Sequence, residues 1–243
     1  MSPLDPVFWL LVVGSFVSAA VSGVFGIGGG FILLALVGSM VPITAVVPMH
    51  SALALGLSLG RGWYFRDHIH WPIVVPFVLG CVIGAPLGAR IYIGLPEVVI
   101  ATVIGLLVLS AVWFPPLRWR PNIPHPFFYV GIAHSMLSAM FSFGAFLQPL
   151  MLRTALGKMR IIGTLSVSLL MMNVFKLAGY AAFGFNFGPY LLVIAACILA
   201  GIPGGKVGRH LVHHVSEQRF RQVFRILMTL FAARLLYRAW LLA

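Results

Sequence analysis

Long apolar runs, separated by short polar links, dominate the chain. Eight runs recur, at residues 7–41, 43–60, 70–89, 98–114, 127–152, 161–183, 190–205 and 223–243. Most are close to the roughly 20 residues that a helix needs to cross a bilayer. The pattern therefore predicts an all-α membrane protein, a polytopic helical bundle with no separate soluble domain.

The first and fifth runs are too long for one crossing, and small residues interrupt both. The interruptions are Gly23, Gly26, Gly28, Gly29 and Gly30 in the first run, and Ser138, Ser142 and Gly144 in the fifth. At membrane depth, backbone groups outside a helix must face protein or a wet cavity. Each of these runs is therefore predicted to be a broken helix or a re-entrant hairpin.

The two interruptions also match each other when the chain is compared with itself. A shift of about 116 residues pairs Ser22 with Ser138, Phe25 with Phe141, Gly28 with Gly144 and Cys81 with Cys197. A shift of 117 residues pairs Gly84, Pro86 and Gly88 with Gly201, Pro203 and Gly205. A shift of 120 residues pairs Glu97 with Glu217. This self-similarity predicts one integral membrane domain made of two repeats, 1–122 and 123–243.

Basic residues in equivalent links indicate opposite orientations for the repeats. The link with Arg61 and Arg66 corresponds to an uncharged link at 183–189, whereas the uncharged link at Pro42 corresponds to one with Arg153, Lys158 and Arg160. Because Lys and Arg favour the cytoplasmic side of short loops, the two repeats are predicted to be inverted relative to each other.

Composition narrows the choice of partners. The chain is 61% hydrophobic and 8% charged, whereas soluble domains are about 45–50% apolar and about 25% charged. The net charge of +12 is spread over short links, which suits lipid headgroups or an anionic solute better than nucleic acid. Met1 to Pro6 contain no Lys or Arg, so the first apolar run is expected to be retained rather than cleaved.

Ionisable residues are few inside the apolar runs, and His50, His134 and Lys176 are the ones near a predicted interruption or deep within a run. Such groups are costly in lipid and usually face a cavity, so all three are candidates for coupling transport to an ion. Two alternatives stay open at this stage. His134 could be a neutral imidazole bonded to a backbone carbonyl, and Lys176 could extend toward the headgroups.

The glycine-rich interruption suggests anion binding. A helix that starts near Gly30 would present uncapped N–H groups and the positive end of its dipole. Close packing of helices through small residues is the alternative explanation.

Other chemistry is poorly supported by the sequence. Cys81 and Cys197 lie in apolar runs and are expected to be buried hydrophobic residues rather than a disulfide. The histidines at 68, 70, 210, 213 and 214 form no closed set of metal ligands, so a solvated surface is favoured, and no metal or cofactor is expected. With four acidic residues in all, no paired-carboxylate catalytic site can be proposed.

The sequence resembles the TauE/SafE-like sulfite exporter family, also called the toluene sulfonate uptake permease group. The resemblance rests on the run Gly26-Ile27-Gly28-Gly29-Gly30 after Ser22-Gly23, on Gly84-Ala85-Pro86-Leu87-Gly88-Ala89-Arg90, and on their counterparts in the second half. It implies a multi-pass transporter in the bacterial inner membrane that exports sulfite or an organosulfonate. The second interruption, Ser142-Phe143-Gly144-Ala145-Phe146, is more polar than the family pattern, so the substrate could differ within this class.

These observations together predict a secondary transporter whose two interruptions hold a small anion, with coupling to protons. The predicted substrate-binding residues are backbone donors or neutral polar groups near the interruptions: Gly28, Gly29, Gly30, Ser51, Ser142, Gly144, Gln148, Thr164 and Ser166, together with His50 as a proton or charge carrier. Three alternatives are an intramembrane enzyme, an assembly factor that binds a lipid or hydrophobic substrate, and a passive anion channel. A homodimer is one assembly considered for the chain.

Overall fold

The structure is a computed structural model that describes residues 3–25, 29–114, 124–144, 146–211 and 217–242. Within these ranges the chain is all-α, as predicted. The helices are α1 (Pro6–Phe25), α2 (Gly29–Met40), α3 (Ile43–Tyr64), α4 (Trp71–Ile93), α5 (Glu97–Trp113), α6 (Pro126–Phe141), α7 (Leu147–Met151), α8 (Lys158–Ala182), α9 (Leu191–Leu211) and α10 (Glu217–Leu242). Short 3₁₀ helices at Arg66–His68 and Gly188–Tyr190 precede α4 and α9.

The first and fifth apolar runs each form two helices rather than one. The first run divides between Phe25 and Gly29, and the fifth divides between Phe141 and Leu147. Helix α2 packs back against α1, since Gly29 lies against Ser18 and Ser22. At 12 residues, α2 is about 18 Å long, less than the roughly 30 Å of a bilayer core.

The outer faces of several helices are apolar and exposed. Helices α4 and α8 and the segment Gly188–Gly208 are long and apolar enough to cross a membrane. Exposed side chains on α4 include Val75, Leu79 and Ile83, each more than half exposed. Contiguous apolar surface of this kind would be costly in water, so these helices face lipid.

The described residues divide into two compact units. The first contains α1, α2, α3 up to Leu57, α5, α9 and α10. Its main helix pairs are α1 with α9 and α5 with α10. Glycines allow α9 to approach α1 closely, because a Cβ at Gly204 or Gly208 would overlap the carbonyl oxygens of Phe16 and Ala20.

The second unit contains α3 from Ser58, together with α4, α6, α7 and α8. Its closest pair is α4 with α6. A Cβ at Gly80, Gly84 or Gly88 would overlap backbone carbonyl groups of α6, at Phe128, Ile132 and Met136. A row of glycines four residues apart on α4 thus forms the contact surface with α6.

The two helix pairs use equivalent residues. Gly84 and Gly88 on α4 contact Ile132 and Met136 on α6. Gly204 and Gly208, which are 120 residues later in the chain, contact Phe16 and Ala20, which are 116 residues earlier than Ile132 and Met136. In each pair the first helix of one half of the chain packs on the fourth helix of the other half. The division into repeats at 1–122 and 123–243, and their inversion, stay predictions.

Candidate functional site

A row of polar side chains follows one face of α6 to the end of the helix. His134, Ser138 and Ser142 are four residues apart, a spacing that places side chains on the same face. His134 and Ser138 are buried, at 2% and 5% exposed. Helix α6 ends at Phe141, so this row reaches into the interruption between α6 and α7.

Lys176 on α8 contacts this row from the opposite side. Its Nζ donates a hydrogen bond to Ser138 Oγ at 3.1 Å, and the residue is 1% exposed. None of the described carboxylates pairs with it, and the ion pair that the described residues do form, Arg66 with Asp67, lies at the surface. Because a buried charge without a partner is costly, the site is suited to supply its counter-charge as a bound anion.

Neighbouring contacts hold α8 against α6 at this level. Tyr180, one turn beyond Lys176, donates from its hydroxyl to the Ala139 carbonyl. The Tyr180 ring also packs edge-on against Tyr92 of α4, with centroids 5.9 Å apart. These buried contacts fix the backbone that carries Lys176.

His134 connects the two helices on either side of the interruption. The N–H of Leu147, the first residue of α7, donates to His134 Nδ1 at 3.2 Å. A nitrogen that accepts a hydrogen bond carries no proton, so the ring is neutral with its proton on Nε2. Nε2 faces Gly144, where a Cβ would overlap the imidazole ring. The Phe77 ring packs edge-on against the His134 ring, with the two ring centroids 5.8 Å apart.

Ser142 ends α6 in an uncommon conformation. Its φ of 55° lies in the left-handed region, which costs a residue other than glycine some free energy. Its N–H caps the Ser138 carbonyl at 2.9 Å, while its buried Oγ has no hydrogen-bond partner among the described residues. A buried hydroxyl in this state can donate to a bound anion.

The first unit contains a second group of predicted residues. His50 Nε2 donates to the Gly30 carbonyl at 3.0 Å, which ties α3 to the start of α2. Gly29 packs on α1, whereas nothing lies within 4 Å of a Cβ placed on Gly30. Gly28 lies outside the described residues.

The remaining predicted residues lie on α3, α7 and α8, and several of their side chains already make hydrogen bonds. Ser51 donates to the Val47 carbonyl and Ser166 to the Ile162 carbonyl, both at 2.7 Å. Thr164 Oγ1 accepts from the His70 N–H at 2.9 Å and so holds the link before α4. Gln148 lies in the first turn of α7, next to Leu147.

Sequence reasoning treated Ser138 as part of an interruption and overlooked it as a binding residue. The missed signal was its position, four residues after His134 and four before Ser142. Asn173, also missed, is 4% exposed and lies three residues before Lys176, on the same side of α8.

Comparison with known proteins assigns the chain to a class. A family model described as "Sulfite exporter TauE/SafE" matches residues 10–235, which is most of both halves. No curated protein and no solved structure matches the chain.

Proposed function

Because the chain belongs to the sulfite exporter TauE/SafE family of membrane transporters, which are not enzymes, we propose that it is a secondary transporter of a small sulfur anion. The substrate is sulfite or an organosulfonate. Transport runs outward across the bacterial inner membrane and is coupled to protons.

The observation that carries this proposal is the buried Lys176. It is 1% exposed on α8, has no carboxylate partner among the described residues, and donates a hydrogen bond to Ser138, one turn before the end of α6. A sulfur oxyanion would neutralise the ammonium and accept from Ser142 as well as from Lys176. Water-soluble cations would be repelled at the same position.

The glycine-rich start of α2 is proposed as a second group of donors. Gly28, Gly29 and Gly30 would bind an anion within the first unit through backbone N–H groups, and the open space at Gly30 leaves room for an approaching solute. Gly144, Gln148, Ser51, Thr164 and Ser166 complete the proposed binding residues, and His50 and Lys176 are the proposed carriers of the coupling charge. The short α2 supports a re-entrant element.

Two competing functions make different demands on these residues. An intramembrane enzyme or lipid-binding assembly factor would need a nucleophile or metal set, and the family match argues against an enzyme. A passive anion channel would share the binding residues but would show no coupling to a proton gradient. The proposal needs one chain only, and the homodimer stays a prediction.

The direct test is anion binding by Lys176 variants of the purified protein, measured by calorimetry with sulfite and an organosulfonate. A hydrogen bond to a charged group contributes about 1.5–3 kcal/mol, so Lys176→Met should weaken binding by roughly 10- to 100-fold. Lys206→Met is the matched control, because Lys206 is an exposed lysine on α9. Equal affinity of Lys176→Met and wild type would refute the proposed site.

A further inference from the structure

We infer that His134 serves the anion site as a neutral hydrogen-bond donor held in one tautomer, and that it does not carry the coupling proton. This inference rests on the proposed function. It assigns a specific task to His134 and separates this residue from His50 and Lys176, the proposed carriers of the coupling charge.

One hydrogen bond fixes the orientation and the tautomer of the His134 ring. Leu147 N–H donates to His134 Nδ1 at 3.2 Å. A protonated imidazole has donors on both nitrogens, so charging the ring would set an N–H against the N–H of Leu147. Protonation would therefore break the contact between α6 and the first residue of α7.

The charged and titratable groups around the His134 ring also disfavour its protonation. On α8, Lys176 is close enough to interact electrostatically with the imidazole. On α4, the thiol of Cys81 lies one turn beyond Phe77, and α7, Leu147 to Met151, contains no titratable side chain. No carboxylate of the described residues pairs with His134, so two buried positive charges would repel each other there.

The remaining proton of the imidazole points in a defined direction. With Nδ1 occupied, the ring proton is on Nε2, and Nε2 faces Gly144. A side chain at position 144 would overlap the ring, and Gly144 has no left-handed backbone conformation to explain the glycine. Gly144 therefore packs directly against Nε2, and the absence of a Cβ there leaves room for the imidazole, whose remaining N–H points into the interruption between α6 and α7.

Two substitutions separate the two nitrogens of His134. The oxygen of asparagine reaches the position of Nδ1, so H134N keeps an acceptor for Leu147 but loses the Nε2 donor. The amide nitrogen of glutamine reaches the position of Nε2, so H134Q keeps a donor but loses the Leu147 acceptor. We expect H134N to weaken sulfite binding roughly tenfold and H134Q to weaken it less.

Gly144 provides an independent test through a double-mutant cycle. G144A should displace the ring and weaken sulfite binding roughly tenfold, but it should add less than about twofold in an H134N background, where the shorter side chain leaves room for the Cβ. Gly157→Ala is the matched control, because nothing lies within 4 Å of a Cβ at Gly157. If H134N does not fold, G144A alone still asks whether the ring position matters.

The experiment measures sulfite affinity by calorimetry, and sulfite flux into vesicles with and without an imposed pH gradient. The inference predicts that H134N and H134Q keep the response of flux to the gradient. Loss of that response in both variants would assign the proton to His134 and overturn the inference, as would wild-type sulfite affinity in both H134N and G144A. A wild-type protein that binds neither sulfite nor an organosulfonate would instead refute the proposed function.

Discussion

At the scale of single residues, the sequence identifies the unusual groups but not their tasks. His50, His134 and Lys176 stand out because ionisable side chains are rare in apolar runs. Which partner each one meets depends on helices distant in sequence, as Lys176 and Ser138 show across 38 residues. The structure also shows a structural role for Thr164, whose Oγ1 accepts a hydrogen bond from the His70 N–H in the link before α4.

His50 is the proposed proton carrier of the first unit and gives a prediction at this scale. His50→Gln can keep a donor to the Gly30 carbonyl, because the glutamine amide nitrogen reaches the position of Nε2. Glutamine cannot take up a proton near neutral pH. We therefore expect His50→Gln to bind sulfite but to lose the response of flux to an imposed pH gradient.

The comparison variant is His50→Ala, which should also bind sulfite more weakly because it lacks the hydrogen bond to the Gly30 carbonyl. Since sulfite itself titrates near neutral pH, the comparison must be made between proteins rather than between pH values. A gradient response in His50→Gln equal to that of wild type would move the coupling charge to Lys176 or to the solute.

At the scale of helices, the hydrophobic pattern predicts most of the fold. The apolar runs agree with the helices, and each of the two long runs contains two helices, α1 and α2 in the first and α6 and α7 in the fifth. What the pattern misses is the register of α9. Sequence matching pairs Gly201 and Gly205 with Gly84 and Gly88, but Gly204 and Gly208 make the equivalent contacts. The pairs Gly201/Gly205 and Gly204/Gly208 have the same spacing of four, so the sequence alone cannot tell which pair contacts the partner helix.

This register gives a prediction with an unusually close control. Gly204→Val should destabilise the protein by about 1–3 kcal/mol, because its Cβ would overlap the Phe16 carbonyl group. Gly205→Val, at the next position on the same helix, meets nothing within 4 Å and should be close to wild type. Thermal unfolding in detergent measures both. A larger loss in Gly205→Val would show that the register of α9 against α1 is wrong.

At the scale of the whole molecule, the compact units and the predicted repeats divide the chain differently. Helix α1 packs with α9 in one unit, and α4 packs with α6 in the other, so each unit contains helices from both halves. A sequence comparison detects similarity between halves but carries no signal for which half a helix packs against. The packing of helices from one half against helices of the other half could therefore not have been predicted from the repeat alone.

The central claim is that the chain moves a small sulfur anion across a membrane by way of Lys176, and one measurement tests it most directly. Purified protein is placed in sealed vesicles, and the transfer of radiolabelled sulfite is followed under an imposed pH gradient for wild type, Lys176→Met and Lys206→Met. We predict gradient-driven transfer of chemically unchanged sulfite by wild type and Lys206→Met, and little or none by Lys176→Met. Transfer by Lys176→Met at the wild-type rate, or sulfite that does not cross with the wild-type protein, would contradict the account.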